Sequence, residues 1–474
     1  MRWKKLTNFD RIEGFPDELK GRINSFITTQ FDDSLTVEGQ IRVLIKWIKK
    51  NIVLTNEMVD YLNKFEEEFD NKLYKTVFEI VEDMTEKGLI DNKIEEEIRK
   101  FLNSFTYYDR VENYVQATTL GLQREIPPYY VDRLNQMAEH LNVEEKENTL
   151  RMIFLTDNHN QYTEYAHNSL FHYEYASILT HLAKIDGYVL GGDNANGWYD
   201  KPMILNELIA AMAIPYNYSH LNTDVFALNG NHDNGAYQNG KTKYSQIISN
   251  EQLKDIFRTR VSVFNEVRNG DSLYCYKDYA DKKYRVFFLN NFDFHTEETN
   301  PDGTLKWNNL NEGGYGETQL KWFAQALKET PADYHVIIFQ HAPMLDIFND
   351  QTQYNGDVLK GILKAYKNGE FYSVIEPNRP KPVELEIDYT GRQGVIACVV
   401  NGHLHQDRST TWEGILCIST GGSICYPQTE DRKWDTYSED LWDCMIFDHE
   451  KKEIRCLRFG WGNNRTFKYG GTEE

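Results

Sequence analysis

Five polar motifs each close a short apolar run, and this recurrence constrains the fold of the chain more than any other feature. Asp157-Asn158-His159 follows the run at 151–156, and Gly192-Asp193 follows 188–191. Gly230-Asn231-His232-Asp233 follows 225–229, His341 follows 335–340, and Gly402-His403-Leu404-His405 follows 395–400. The runs span four to six residues and favour β-branched or aromatic side chains. They are too short for typical helices and read as buried strands. Segments between the early strands read as helices, as at 169–184, where Leu170, Tyr173, Ile178, Leu179 and Leu182 are apolar. The alternation predicts an α/β fold with its ligands gathered at strand carboxyl ends. Gly192, Gly230 and Gly402 let the backbone turn tightly there.

The motifs supply two aspartates, one asparagine and four histidines as candidate ligands, plus His232 beside the asparagine. That set suits two divalent metals sharing a bridging carboxylate, which attack phosphate esters through a metal-bound hydroxide. Mixed nitrogen and oxygen donors suit Mn, Fe or Zn rather than an all-oxygen Mg or Ca site. Buried carboxylates and imidazoles are costly without partners, which argues against a purely structural role for the set. His172, His181, His220 and His335 read instead as structural histidines. Asp293 and His295 close another run, at 286–289, and read as a polar strand end, with a place on the substrate rim as the alternative. Tyr162 and Trp198 follow the first two motifs and either line the cleft or belong to the ordinary surface or core.

Taken in order, D-x-H, G-D, G-N-H-D, H and G-H-x-H resemble the calcineurin-like metallophosphoesterase family over roughly residues 148–462. The run Gly316-Glu317-Thr318-Gln319-Leu320-Lys321-Trp322-Phe323 adds to the likeness. The resemblance implies a four-layer α/β sandwich, with two mixed sheets flanked by helices, and two divalent metal ions (Mn, Fe or Zn). By position, Asp157, His159 and His405 would bind the first metal, and Asn231, His341 and His403 the second. Asp193 would bridge them. His232 would protonate the leaving-group oxygen as general acid, and Asp233 would orient His232 or a nearby loop.

The first 145 or so residues are rich in Glu, Lys, Leu, Ile and Phe and read as helical. Candidate helices cover 36–51, 55–87 and 93–105, with a shorter one at 131–141 after Pro127-Pro128. Along the second, Leu62, Phe65, Phe69, Leu73, Val77, Ile80 and Met84 form a stripe at spacings of three and four, close to a heptad seam. This region serves either as an intramolecular bundle or for homo-oligomerisation and anchoring. The division expected is therefore 1–145 helical, 146–462 metallophosphoesterase and 463–474 a poorly ordered tail. The formal net charge of −21 disfavours general nucleic-acid binding, which relies on Lys and Arg at phosphates. No secretory signal and no membrane span are read. Six irregularly spaced cysteines read as reduced, buried thiols of a protein made in the cytoplasm.

Ile12-Glu13-Gly14-Phe15-Pro16 and the run at 61–74 also resemble, more loosely, leading segments of tail or appendage proteins from phages of Gram-positive hosts. That likeness implies a virion-associated phosphodiesterase docked to tail proteins and cutting teichoic acid of the cell wall. Alternatives are a cytoplasmic enzyme acting on a nucleotide, nucleic acid or phosphoprotein, and a non-catalytic receptor-binding phage component. Arg379, Lys381 and Arg392 lie in the long segment before His403 and read as solvated loop charges or as contacts to a second phosphate.

Overall fold

The computed structural model describes residues 126–143, 148–161, 164–236, 243–296, 298–307, 312–348 and 352–470. The chain forms two compact units, Met1–Val131 and Asp132–Glu474. The helices expected at 36–51, 55–87 and 93–105 lie outside the described residues, as does Tyr162. Helix α1 (Pro128–Val143) covers the one expected at 131–141. Pro128 occupies its first turn, where a missing N–H breaks no helical hydrogen bond.

The first sheet grows from β1 (Thr149–Leu155), β2 (Gly187–Leu190) and β3 (Asp224–Ala227), which run parallel. Every residue of β1 is buried, as expected of a strand covered on both faces. Helices α2 (Ser169–Leu182) and α3 (Lys201–Tyr218) form the two crossovers of this parallel unit. The second sheet contains the parallel strands β6 (Tyr284–Phe288), β8 (His335–Phe339), β12 (Val395–Asn401) and β14 (Ile415–Ser419). Antiparallel β5 (Cys275–Tyr279), β4 (Val267–Arg268) and β13 (Arg408–Trp412) complete its edges. Helices α5 (Glu317–Lys328) and α6 (Gly356–Asn368) cover its outer face; a short α4 (Asn250–Ile256) precedes β4.

The alternation within β8 shows how the layers assemble. Ile337 and Phe339 join a core with Phe154, Val189 and Phe226 of the first sheet. Val336 and Ile338 join a separate core with Leu320, Phe323, Ile362 and Leu363 of the outer helices. Successive strand residues face opposite sides, so one strand feeds both cores. Phe154 meets Phe339 at 5.4 Å and Phe226 meets Phe288 at 4.1 Å between ring centroids, tying sheet to sheet. The resulting architecture is the mixed α/β sandwich that the motifs imply.

The C-terminal end departs from expectation. Rather than a loose tail after Gly460, the chain forms β17 (Arg465–Lys468), paired antiparallel with β16 (Glu453–Gly460). β16 in turn pairs with β15 (Leu441–Asp448), the neighbour of β1. Tyr469 then drops into the core between the sheets, where its hydroxyl lies 2.7 Å from His335 Nδ1 and 3.3 Å from Tyr284 Oη. The glycines at 470–471 suggested disorder, but the preceding aromatic is an anchor. All six cysteines are free and buried. Among the described residues, no helix is long and apolar enough to cross a membrane. Replacing Tyr469 by Ala is expected to destabilise the fold by about 3 kcal/mol, read as a lowered urea midpoint. An unchanged midpoint would return this segment to the status of a tail.

Candidate metal centre

All nine candidate residues stand just past the carboxyl ends of parallel strands. Asp157 and His159 follow β1, Asp193 follows β2, and Asn231, His232 and Asp233 follow β3. His341 follows β8, and His403 and His405 follow β12. The first three strands belong to one sheet and the last two to the other, so the centre sits where both sheets end.

Getting seven side chains to one point strains the backbone. Asp157, His159, Asp193, His403 and His405 adopt φ of 53°, 46°, 51°, 68° and 54°. Non-glycine residues in this left-handed region cost about 1–3 kcal/mol each and persist only when their surroundings hold them. The restraints are visible. Asp157 N donates to Gly192 O at 3.0 Å, and His159 N donates to Asp193 O at 2.8 Å. His403 N donates to the Asp157 carboxylate at 2.9–3.0 Å. A Cβ on Gly402 would collide with Thr156 Oγ1 and the Asp157 carboxylate, so the turn before His403 has room only for glycine.

The ligand atoms form two groups. His159 Nε2 and His405 Nε2 are 3.1 Å apart, and His405 Nε2 is 3.4 Å from Asp157 Oδ1. In the second group, Asn231 Oδ1 is 2.9 Å from His403 Nδ1 and 3.1 Å from His341 Nε2. Asp193 Oδ2 lies between them, 3.2 Å from His341 Nε2 and 3.8 Å from His159 Nε2. Donor atoms about 2.0–2.2 Å from one ion stand roughly 3 Å from one another, so these donor sets fit a cation in each group. The outer ring nitrogens are occupied elsewhere. His341 Nδ1 donates to Gly191 O at 2.8 Å, and His159 Nδ1 faces Asn196 Oδ1 at 3.1 Å. Such contacts fix the tautomer and turn the inner lone pair toward an ion.

The electrostatics point the same way. Burial opposes ionisation of Asp193, but the imidazoles of His341 and His232 outweigh it and hold its carboxyl well below the usual range. Burial also works against Asp157, yet His405 beside it brings the carboxyl to about 2. Desolvation lowers His159 to about 3 and His403 to about 4, and it lowers His232 as well. For His341, burial is outweighed by Asp193, and the ring rises to about 9. The carboxylates are ionised and His159 and His403 neutral, as metal ligation requires. On His341 and His405 burial is outweighed by Asp193 and Asp157, which favour a proton that an ion would displace.

His232 stands beside these groups. Its Nδ1 donates to Asn196 O at 2.8 Å, and its Nε2 lies 3.9 Å from Asp193 Oδ2. Of the two roles expected of Asp233, its contacts fit the holding of a nearby loop. It is wholly buried and its carboxylate is engaged by the amides of Asn194 (2.7 Å), Ala195 (3.0 Å) and Gly230 (2.9 Å) and by Asn194 Nδ2 (3.1 Å). Those contacts make it a clamp between the loops after β2 and β3, not a catalytic group. The neighbouring polar residues fit the readings as a strand end and as loop charges better than the rim alternative. His295 is fully buried against Phe292 and Phe294, and Asp293 accepts from Gly316 N. Arg379 pairs with Asp357 and Glu376, Lys381 with Glu298, and Arg392 donates to Lys328 O.

Two contributors were not singled out in the sequence. Asn196 contacts both His159 and His232, and its only signal was a polar run after Gly192-Asp193. Asp407 receives two bonds from Arg458, at 2.9 and 3.0 Å, and accepts from Gly421 N, fixing the chain two residues beyond His405. No local pattern pairs residues so distant in sequence. Asp233→Ala strands four buried donors and is expected to cost roughly 3 kcal/mol or more in the metal-free protein, measured by urea unfolding. A cost below about 1 kcal/mol would show that the clamp is dispensable.

The calcineurin-like phosphoesterase model matches residues 150–407, more than half of the chain. Among solved structures, the chain is similar to a dimetal phosphatase from Danio rerio at 14% identity, with 68% of this chain and 99% of that one covered and a TM-score of 0.44. It is similar to the phosphopantetheinyl hydrolase of Mycobacterium tuberculosis at 13% identity, covering 58% and 91%, with a TM-score of 0.31. An archaeal phosphodiesterase matches at 13% identity, covering 65% and 100%, with a TM-score of 0.26. No curated protein sequence matches. With the motifs in order, and their ligand atoms gathered at the ends of two sheets, the chain belongs to the calcineurin-like phosphoesterase family, whose members work with two divalent metals.

Proposed function

We propose that the chain hydrolyses a phosphodiester at this centre. The observation that carries the reading is the place of Asp193 Oδ2 between two groups of converging ligand atoms. Asp157, His159 and His405 would hold one ion, Asn231, His341 and His403 the other, and Asp193 would serve both. When bound, such a pair supplies Lewis-acid charge to the phosphoryl oxygens and ionises water near neutral pH. The residues themselves do the rest. The strained loops hold the ligands ready, so little reorganisation accompanies the reaction. His232 keeps its Nδ1 proton on the Asn196 carbonyl, so Nε2 takes a second proton from solvent, against the desolvation that disfavours it, and passes that proton to the leaving oxygen. A group that only bound phosphate would have no need of that proton donor, which favours an enzyme over a receptor-binding component.

For the substrate we propose teichoic acid of a host cell wall, with the chain carried on a phage particle through its N-terminal region of about 145 residues. The support is the likeness of the segments at 12–16 and 61–74 to phage appendage proteins. The net charge of −21 also speaks against general nucleic-acid substrates. A cytoplasmic phosphoesterase of a small substrate is the second reading.

Purified protein supplied with Mn²⁺ is expected to cleave bis(p-nitrophenyl) phosphate faster than the monoester and to release glycerol phosphate from teichoic acid, with EDTA abolishing both. Cleavage of small esters but not of the polymer would move the substrate to the cytoplasm. His232→Ala is expected to lower kcat by about 10²- to 10⁴-fold with two metals retained; unchanged turnover would remove His232 from the mechanism. Asp157→Ala should lower the metal content from two ions toward one, and Asp193→Ala should deplete both, as measured by elemental analysis. Full metal content in both variants would refute the ligand assignment.

A further inference from the structure

Beside the centre lies a strip of aromatic rings that the chemistry above does not use. Tyr165 stacks on Trp198 at 5.4 Å between centroids, and Tyr426 meets Tyr165 at 4.3 Å. Trp198 is 41% exposed and Tyr426 50%. Large aromatics gathered at the surface, with polar neighbours, mark interaction sites rather than ordinary surface.

Each ring comes from a different segment of the chain, and the segments of Trp198 and Tyr426 are fastened to the metal centre. Trp198 is two residues past Asn196, whose carbonyl accepts from His232 Nδ1. The intervening Gly197 packs so closely on the His232 carbonyl that a Cβ there would overlap it. Tyr426 is two residues past Ile424, whose amide donates to Asp157 O at 3.0 Å. Tyr165 is six residues past His159. Two residues of chain span at most about 7 Å, so Trp198 and Tyr426 start within that reach of atoms bonded to the site. Trp198 thus follows directly on the two residues, Asn196 and Gly197, that touch His232.

The surroundings define what such a strip suits. Asp435 is exposed nearby on the loop that carries Trp434, which stacks on His167 at 4.7 Å, and Asp200 stands two residues past Trp198. Among the nearby cations, Arg432 directs its guanidinium to the carbonyls of Gly422, Ser423, Ser438 and Glu439, while Lys201 and Lys433 adjoin Asp200 and Trp434 in sequence. The carboxylates of Asp200 and Asp435 would serve hydroxyl groups as acceptors. Aromatic faces with a few polar groups at the edge suit a ring with an apolar face and a hydroxylated rim.

We infer that Tyr165, Trp198 and Tyr426 form a subsite for a sugar ring borne by the organic group of the phosphodiester. This rests on the reading of the centre as a phosphodiesterase. The test uses the full chain with Mn²⁺ and the methyl phosphodiesters of glucose 6-phosphate, thymidine 5′-phosphate and glycerol 3-phosphate, followed by ³¹P NMR. Wild type should favour the glucose ester over the glycerol ester in kcat/KM. Trp198→Ala with Tyr426→Ala should shrink that ratio about tenfold, through KM rather than kcat, with metal content unchanged. Trp198→Phe, which keeps a ring, should restore most of it. Equal losses on all three esters, or no initial preference for glucose, would overturn the subsite. Selective loss on the thymidine ester would overturn it in favour of a base. If wild type cleaves none of these and not bis(p-nitrophenyl) phosphate, the phosphodiesterase reading fails. The subsite is then judged alone, by quenching of tryptophan fluorescence with the glucose ester. Quenching in wild type that is lost on Trp198→Ala upholds it, and no quenching overturns it.

Discussion

Two buried carboxylates, Asp157 and Asp193, face a ring of imidazoles whose lone pairs point inward, and the rest of the centre is arranged around that convergence. Without cations the arrangement is electrostatically awkward. Lone pairs confront lone pairs, and charge is desolvated. With cations it becomes a pair of ligand sets. Protein contacts help to hold the geometry: backbone amides on Asp157 and Asp233, and the Gly191 carbonyl on the outer ring nitrogen of His341.

Strain and restraint occur together. Five ligand positions have left-handed backbone, and all five lie in turns that leave strand ends. A parallel strand can deliver a side chain to the sheet's carboxyl edge, but only a sharp reversal aims it sideways at a neighbour's. The contacts of Asp233, Asp407 and Gly402 stabilise those reversals. The scaffold behind them is rigid because each parallel strand of the second sheet feeds a core on each face. Stiffness in the sandwich is therefore what allows strain at its rim.

Much of this was legible in the order of residues. The strand-then-ligand pattern located all seven candidate ligands and His232, because strand ends carry local signals: a short apolar run, a glycine, a polar stop. Other features had no such signal. Asp233 reads as part of the same motif as His232, yet its oxygens turn away into the loop after β2. His295 resembles a motif residue at a strand end but is buried among aromatics. The tail looked loose because glycines dominate its end, although Tyr469 anchors it between the sheets.

The sequence by itself determined the alternation of strands and helices, the chemical types at the strand ends and hence the family. Those follow from local periodicity and from residue chemistry, which need no knowledge of neighbours. Tertiary structure decided that Asp233 is a clamp and that aromatics from three segments share one strip. These depend on contacts between residues far apart in the chain, such as Asp407 with Arg458 or Tyr165 with Tyr426. Only the packing of two sheets, end beside end, brings such residues within a few ångströms.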